Sequence, residues 1–388
     1  MQTSQNILAL CAVILFACSC SGKTKLQKEV THTLRTEILV RGKKALTDKP
    51  VTVTSFTALR SAGGIHDFYS EGDYWWPNPE DPEGPYIRRD GESNPDNFVA
   101  HRHAMIRFSQ IVGDLTSAWM LTNDSIYAKQ VIKHVHAWFI DPNTRMNPNL
   151  LYAQAIKGII TGRGIGIIDT IHLLEVVQSL IRLEEKGMIP DETATGVRRW
   201  LKEYVEWLTT HPYGLDEMKA KNNHGTCWVL QVAQFARYIG DTQLLEQCRE
   251  RFKTILLTGQ MGEDGSFPLE LSRTKPYGYS LFNLDAMATL CHILSTPEED
   301  LWEFTVDNRN MQKAVAWHFP YIQDKSQWPY PQDVMFWEEW PVAPPALLFS
   351  VYHTCNKEYL QLWKQLPHFP ENEEVVRNLP VRHPLLWI

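Results

Sequence analysis

The chain has 388 residues, 44% of them hydrophobic, and a formal net charge of −7. That is enough apolar material for one large core or two smaller ones. A mildly acidic chain is excluded as a general nucleic-acid binder, which needs a basic face, and any anionic ligand has to be met by local positive charge. Fourteen Trp and fourteen Tyr serve equally as a large aromatic core or as platforms for sugar rings.

Taken in chain order, residues 7–17 are almost wholly apolar, too short to span a bilayer, and followed by polar residues. They end in Leu15-Phe16-Ala17-Cys18, the small-residue-then-Cys pattern of a bacterial lipoprotein leader. Residues 1–17 are therefore read as a signal peptide, Cys18 as the lipidated residue, 18–35 as a lipid-anchored tether and 36–388 as the working domain. Cys20, after Ser19, competes with Cys18, and no Lys or Arg precedes the apolar run. The alternative is a plain secretory signal. Either way the expected location is outside the cytoplasm, in the periplasm or at the outer membrane or cell surface. Contact with the membrane is expected through the lipid alone. Cys227, Cys248, Cys291 and Cys355 sit in apolar helical patterns without C-x-x-C spacing, which reads as buried free thiols rather than a metal site.

The body is dominated by helical periodicity. Met105, Phe108, Val112, Leu115 and Trp119 recur at three- and four-residue steps, as do Val131, Val135, Trp138 and Phe139. Val197, Trp200, Leu201, Tyr204 and Leu208 repeat the pattern, followed by Leu245, Cys248 and Phe252, by Leu284, Met287 and Cys291, and by Tyr359, Leu362 and Leu366. Short turns join them: Asn123-Asp124 and Gly240-Asp241 each place a helix-ending residue before a capping Asp. Strand signals are sparse. Helical hairpins stacked over some three hundred residues predict an all-α fold, a curved array or closed toroid.

Two irregular stretches, 70–97 and 259–283, interrupt the helices and are rich in Gly and Pro. Long loops on a rigid scaffold are where ligand-handling residues gather. Lys221-Asn222-Asn223-His224-Gly225 precedes a helical run, so Asn223 and His224 should stand at a helix N-terminus, a natural carboxylate site. Read alone, the pair is equally a capping Asn beside an incidental His. The second stretch holds Glu270, Arg273, Tyr277 and Tyr279 and runs into the helix after Leu284. A guanidinium beside a phenol stabilises the phenolate, which otherwise costs about 4 kcal/mol near pH 7. His101, His103, His134 and His136 lack a carboxylate at zinc-motif spacing, so no metal or other cofactor is expected; His134 and His136 read as helix-surface residues. Thr161-Gly-Arg163-Gly-Ile-Gly166 lacks the Lys-Ser/Thr of a phosphate loop, which leaves Arg163 as an acid-binding cation. Trp76 suits sugar stacking, and Arg102 suits a groove wall.

The Asn223-His224 pair and an Arg273 followed six residues later by Tyr279 resemble the helical-toroid alginate lyases and the related glucuronan-type lyases. The resemblance runs from Trp75-Trp76-Pro-Asn-Pro through His101-Arg102 and Met146-Asn-Pro-Asn149 to Tyr279-Ser-Leu-Phe-Asn283. It implies an (α/α) toroid, an incomplete α/α barrel of helical hairpins with long loops at the groove. It also implies that Tyr279 transfers the proton, that Asn223 and His224 bind and neutralise a uronate carboxylate, and that Arg273 assists Tyr279. Trp76, Arg102, Arg163 and Tyr277 are the expected substrate-binding residues. The expected partner is an anionic polyuronate, with mannuronate-rich alginate foremost.

The residue types suit β-elimination. The C5 proton of a uronate is poorly acidic beside an ionised carboxylate, and neutralising that carboxylate lets charge flow into it as the proton leaves. In β-D-mannuronate the C5 proton and the C4 oxygen share a face, so one Tyr can take the proton and return it. The alternatives are a glucuronan-type lyase, a glycoside hydrolase using carboxylates such as Glu263, Asp264 and Glu270, and a non-catalytic glycan-binding lipoprotein.

Overall fold

The computed structural model describes the backbone of residues 2–388 and the side chains from residue 23 onward. The expected leader and the expected anchor Cys18 lie outside the residues with described side chains. The helices are α1 (Gln2–Ala45), α2 (Ala100–Thr122), α3 (Ser125–Phe139), α4 (Leu173–Glu184), α5 (Asp191–Thr210), α6 (Pro212–Met218), α7 (Asn223–Ile239) and α8 (Thr242–Arg251). They continue with α9 (Leu257–Gln260), α10 (Pro268–Leu271), α11 (Pro276–Leu294), α12 (Met311–Gln323), α13 (Pro345–Thr354), α14 (Lys357–Gln365) and α15 (Glu373–Arg377).

These helices form two concentric layers. In the inner layer α1 packs on α2, α2 on α4, α4 on α7, α7 on α11 and α11 on α13, and α13 returns to α1. Outside it, α3 lies against α2 and α5, α5 and α8 against α7, α12 against α11, and α14 against α13. That is the (α/α) toroid expected from the hairpin pattern. The sequence explains the layering. Inner α11 is apolar nearly all round and buries Leu281, Phe282, Leu284, Met287, Ala288 and Leu290. A helix of that kind has no solvent face to offer. Outer α5 buries only the stripe Val197, Trp200, Leu201, Tyr204 and Leu208 and exposes Lys202, Glu203 and Glu206. Each large apolar side chain fully buried this way contributes about 1.5–3 kcal/mol.

The expected turns are present. Asn123 ends α2 at φ 57° and Asp124 accepts from the Ile126 N–H at 3.0 Å. Gly240 ends α7 at φ 77° and Asp241 accepts from the Leu244 N–H at 2.9 Å. Two small sheets accompany the helices: β1 (Tyr69–Glu71) runs parallel to β4 (Tyr152–Ala155), and β2 (Trp75–Trp76) pairs antiparallel with β3 (Ile87–Arg88).

Four expectations are corrected. The tether does not reach residue 35, because Leu26, Val30, Leu34 and Ile38 recur every four residues and are buried in the core as part of α1. The helix bearing Tyr279 starts at Pro276 rather than after Leu284, with proline at the first helical turn where its missing N–H costs nothing. Cys355 is exposed, not buried, since it is the left-handed residue that ends α13 at φ 58°. His134 lies inside the fold rather than on a helix surface, and burial lowers its imidazole to about 4. Among the described residues no single helix is long and apolar enough to cross a membrane.

Candidate active site

A cavity of about 500 Å³ collects side chains from both irregular stretches and from the start of α7. Tyr279, Asn223, His224, Arg273 and Arg163 all line it. It thus unites residues as far apart in sequence as Tyr74 and Tyr279, 205 positions.

Tyr279 stands in the first turn of α11 and is 7% exposed. Its hydroxyl is 2.6 Å from that of Tyr74, which lies just before β2 and also lines the cavity. Burial pushes the Tyr279 hydroxyl well above its ordinary value, the neighbouring Tyr74 adds to this, and Arg273 pulls the other way. Among the described residues Arg273 makes no hydrogen bond to the phenolic oxygen and lies over the Tyr279 ring. Its guanidinium carbon lies 4.6 Å from the centre of the Tyr279 ring, and its nitrogens are held by Asp90 at 3.0 and 3.2 Å. The cation thus lies against the ring face, with part of its charge already answered by Asp90.

Lys275 is a second buried cation in this corner. Its ammonium lies 5.1 Å from the Tyr74 ring and 5.2 Å from the Tyr279 ring, and is ion-paired with Glu374. Burial would lower its pKa, but Glu374 and then Tyr74 reverse this, so it stays charged. The sequence reading missed both Tyr74 and Lys275. Their only local signal is position: Tyr74 adjoins Trp75-Trp76, and Lys275 lies between Arg273 and Tyr279.

On the facing wall Asn223 is the first residue of α7, and Asn222 is the N-cap, without a side-chain capping bond. The helix start is capped from elsewhere. Glu270 of α10 accepts the Asn223 backbone N–H at 2.7 Å and the Asn223 Nδ2–H at 2.7 Å. The first backbone N–H of α7 is therefore answered by a protein carboxylate rather than left open. His224 points Nδ1 at Glu217 of α6, 2.6 Å from Oε1. Gly225 is required by packing, since a Cβ there would lie 2.1 Å from the Ala220 carbonyl oxygen.

Arg163 donates Nε to the Gln154 carbonyl at 3.0 Å and Nη2 to the Gln154 side-chain oxygen at 3.1 Å, and leans over the Trp75 ring. Among the described residues no carboxylate pairs with it, so its charge is open to a ligand. The other three expected binding residues are absent from the cavity wall. Arg102 is 4% exposed and forked onto Asp73, with Nη1 at 2.9 Å from Oδ2, because a guanidinium buried that deeply must be paired. Tyr277 is in the core, its hydroxyl donating to the Tyr321 carbonyl at 2.9 Å and its ring against Trp328 and Trp337. Two residues along a helix is about 200° of rotation, so Tyr277 and Tyr279 face nearly opposite ways. Trp76 donates Nε1 to the Glu92 carbonyl at 2.9 Å and carries Arg89 over its ring. Trp75 takes the cavity face instead, as alternation along a strand requires. Among the described residues no group of three His, Cys, Asp or Glu side chains could hold a metal ion.

Comparison with known proteins agrees with this architecture. The family model for alginate lyases matches residues 52–328. A crystal structure of an alginate lyase from Bacteroides ovatus is similar over 95% of this chain and 97% of that one, at 30% identity and a TM-score of 0.81. Alginate lyase A1-III from Sphingomonas species A1 shares the fold at a TM-score of 0.55 and 15% identity, covering 84% of this chain and 89% of that one. A histidine-to-alanine variant of alginate lyase A1-III in complex with a tetrasaccharide does so at a TM-score of 0.56 and 16% identity, covering 81% and 83%. No match was found among curated proteins. The fold and the family match together define a polysaccharide lyase built on an (α/α) toroid. The chain belongs to the alginate lyase family.

Proposed function

We propose that this lyase cleaves alginate, with preference for mannuronate-rich chains, and that Tyr279 is both its base and its acid. The observation that carries the reading is convergence: Tyr279, Arg163 and the Asn223-His224 pair line one cavity. Its structural relatives are alginate lyases, one of them with a bound tetrasaccharide.

In this reading Arg163, Asn223 and His224 engage the uronate carboxylate and draw charge from C5. The Tyr279 oxygen, as phenolate, takes the C5 proton, with Tyr74 donating a hydrogen bond to it and the Arg273 and Lys275 cations flanking the ring. The electron pair of the C5–H bond becomes the C4–C5 double bond, and the C4–O bond breaks. Tyr279 then returns the same proton to the departing oxygen, which leaves the phenolate ready for the next cycle. In mannuronate both events occur on one face, within reach of a single hydroxyl. An opposite-face polymer needs a second proton carrier, for which His224, backed by Glu217, is the group at hand.

Of the carboxylates the hydrolase reading named, Glu270 has both oxygens taken up by Asn223. The test is to incubate the protein with polymannuronate, polyguluronate and glucuronan and follow ultraviolet absorbance and reducing ends together. The expected result is new absorbance, fastest with polymannuronate. Reducing ends without absorbance would establish a hydrolase, and neither signal a binding protein. Export as a lipoprotein is part of the same proposal: labelled fatty acid should enter the chain and be lost in Cys18→Ala, and labelling that persists there but not in Cys20→Ala would move the anchor.

A further inference from the structure

The Glu270 carboxylate is 1% exposed, and the chain spends it on one residue. Its two oxygens meet the two N–H groups of Asn223, one on the backbone and one on the side chain, 47 positions away. A helix start can be capped by the side chain of its own N-cap residue, and Asn222 stands there without making such a bond. Burial raises the Glu270 carboxyl, and the two Asn223 hydrogen bonds, then Arg273 and His224, oppose it. Capping alone does not call for a carboxylate this deeply buried.

A carboxylate only accepts, so the atom that Asn223 turns towards Glu270 must be its Nδ2. That contact fixes the amide plane and leaves the second Nδ2–H and the Oδ1 as its remaining polar groups, on a side chain that lines the cavity. The same short turn also bonds the Arg273 N–H to the Glu270 carbonyl at 3.0 Å. One rigid piece of chain therefore sets the carboxylate-binding amide on one wall and the cation over Tyr279 on the other.

From this geometry we infer that Glu270 is a positioning residue, which holds the Asn223 amide in the one orientation that presents an N–H to the substrate carboxylate. The inference rests on the lyase reading above. The test is Glu270→Gln, which keeps the shape but offers one acceptor where Asn223 needs two. Turnover on the preferred polymer should fall on the order of 10–100-fold while KM changes less than about 3-fold, because a small misplacement of a group acting on the transition state lowers kcat. In an Asn223→Ala background the same substitution should cost less than about 3-fold, since the group it positions is already gone. An equal loss in both backgrounds, or no loss in the parent, overturns the inference.

A third variant separates positioning from helix capping. Adding Asn222→Ser to Glu270→Gln gives α7 its own cap. Recovery of thermal stability without recovery of turnover supports positioning, and recovery of both makes Glu270 a cap only. If the unmodified protein forms no unsaturated product from any polyuronate, the functional reading has failed, and the positioning claim is judged on the Asn223 side-chain amide by nitrogen-15 NMR. A resonance shifted downfield in the parent and relaxed in Glu270→Gln supports it, and an unchanged resonance overturns it.

Discussion

Two residues apart on α11, Tyr279 and Tyr277 receive opposite assignments from a single helical rotation. Tyr279→Phe removes the proton carrier and should lower turnover by about 10²–10⁴-fold with the fold intact. Tyr74→Phe deletes one hydrogen bond to the same oxygen, worth about 1–2 kcal/mol, and should cost about 10-fold. Tyr277→Phe should leave turnover within about 3-fold and instead lower stability by about 1 kcal/mol, since the Tyr321 carbonyl loses its partner. Saturating-substrate turnover and urea unfolding of the three variants check this order, and near-normal turnover in Tyr279→Phe would remove the mechanism. The direction of the Tyr279 shift gives a second prediction. Burial and Tyr74 raise its hydroxyl, so the phenolate is scarce at neutral pH and its fraction grows as pH rises. Turnover should therefore climb from about pH 7 towards the ordinary phenol range near 10. A rate already level below pH 7 would mean that the base is another group.

Among the elements, the segment after α15 carries a buried histidine whose charge is held by two carboxylates. Burial pulls the His383 imidazole down, but Glu175 of α4, at 2.7 Å, and Asp114 of α2, at 3.1 Å, lift it to about 9. Its folded pKa lies above the unfolded value, so the stabilisation is complete below about pH 6.5 and is lost as pH rises through about 9. The contribution is on the order of 3 kcal/mol. Thermal unfolding of the parent should weaken between about pH 7 and 9.5, and that part of the decline should vanish in His383→Gln. A parallel decline in both would place the sensitivity elsewhere. The elements were also where the sequence was most legible. Apolar steps of three and four wrote the helices, and Asn123-Asp124 and Gly240-Asp241 wrote their turns, because each signal is local. The residues of the cavity were legible where their chemistry is local, in Asn223-His224, in Arg273 to Tyr279 and in Arg163. The Tyr74–Tyr279 contact spans 205 positions and the Asp73–Arg102 fork 29, so nothing in either neighbourhood marks them. The buried fate of Arg102 and the cap supplied by Glu270 both follow from such distant partners.

At the scale of the whole molecule, an acidic protein is proposed to bind a polyanion. The net charge of −7 repels the polymer at long range, while Arg163 attracts it inside the cavity with no carboxylate to answer its charge among the described residues. Salt separates the two effects by distance. The screening length is about 30 Å at 0.01 M and about 10 Å at 0.1 M, so the first additions remove the long-range repulsion and leave the contact pair nearly untouched. Further salt, towards about 1 M, shortens it to about 3 Å and weakens the exposed part of the local attraction as well. KM for polymannuronate should therefore pass through a minimum at intermediate ionic strength, with kcat almost constant. Arg163→Met should raise KM several-fold and flatten the high-salt limb, while the low-salt limb, which belongs to the whole surface, survives. A KM that rises steadily from the lowest salt would mean that local attraction dominates at every distance and that the overall negative charge has no part in capture.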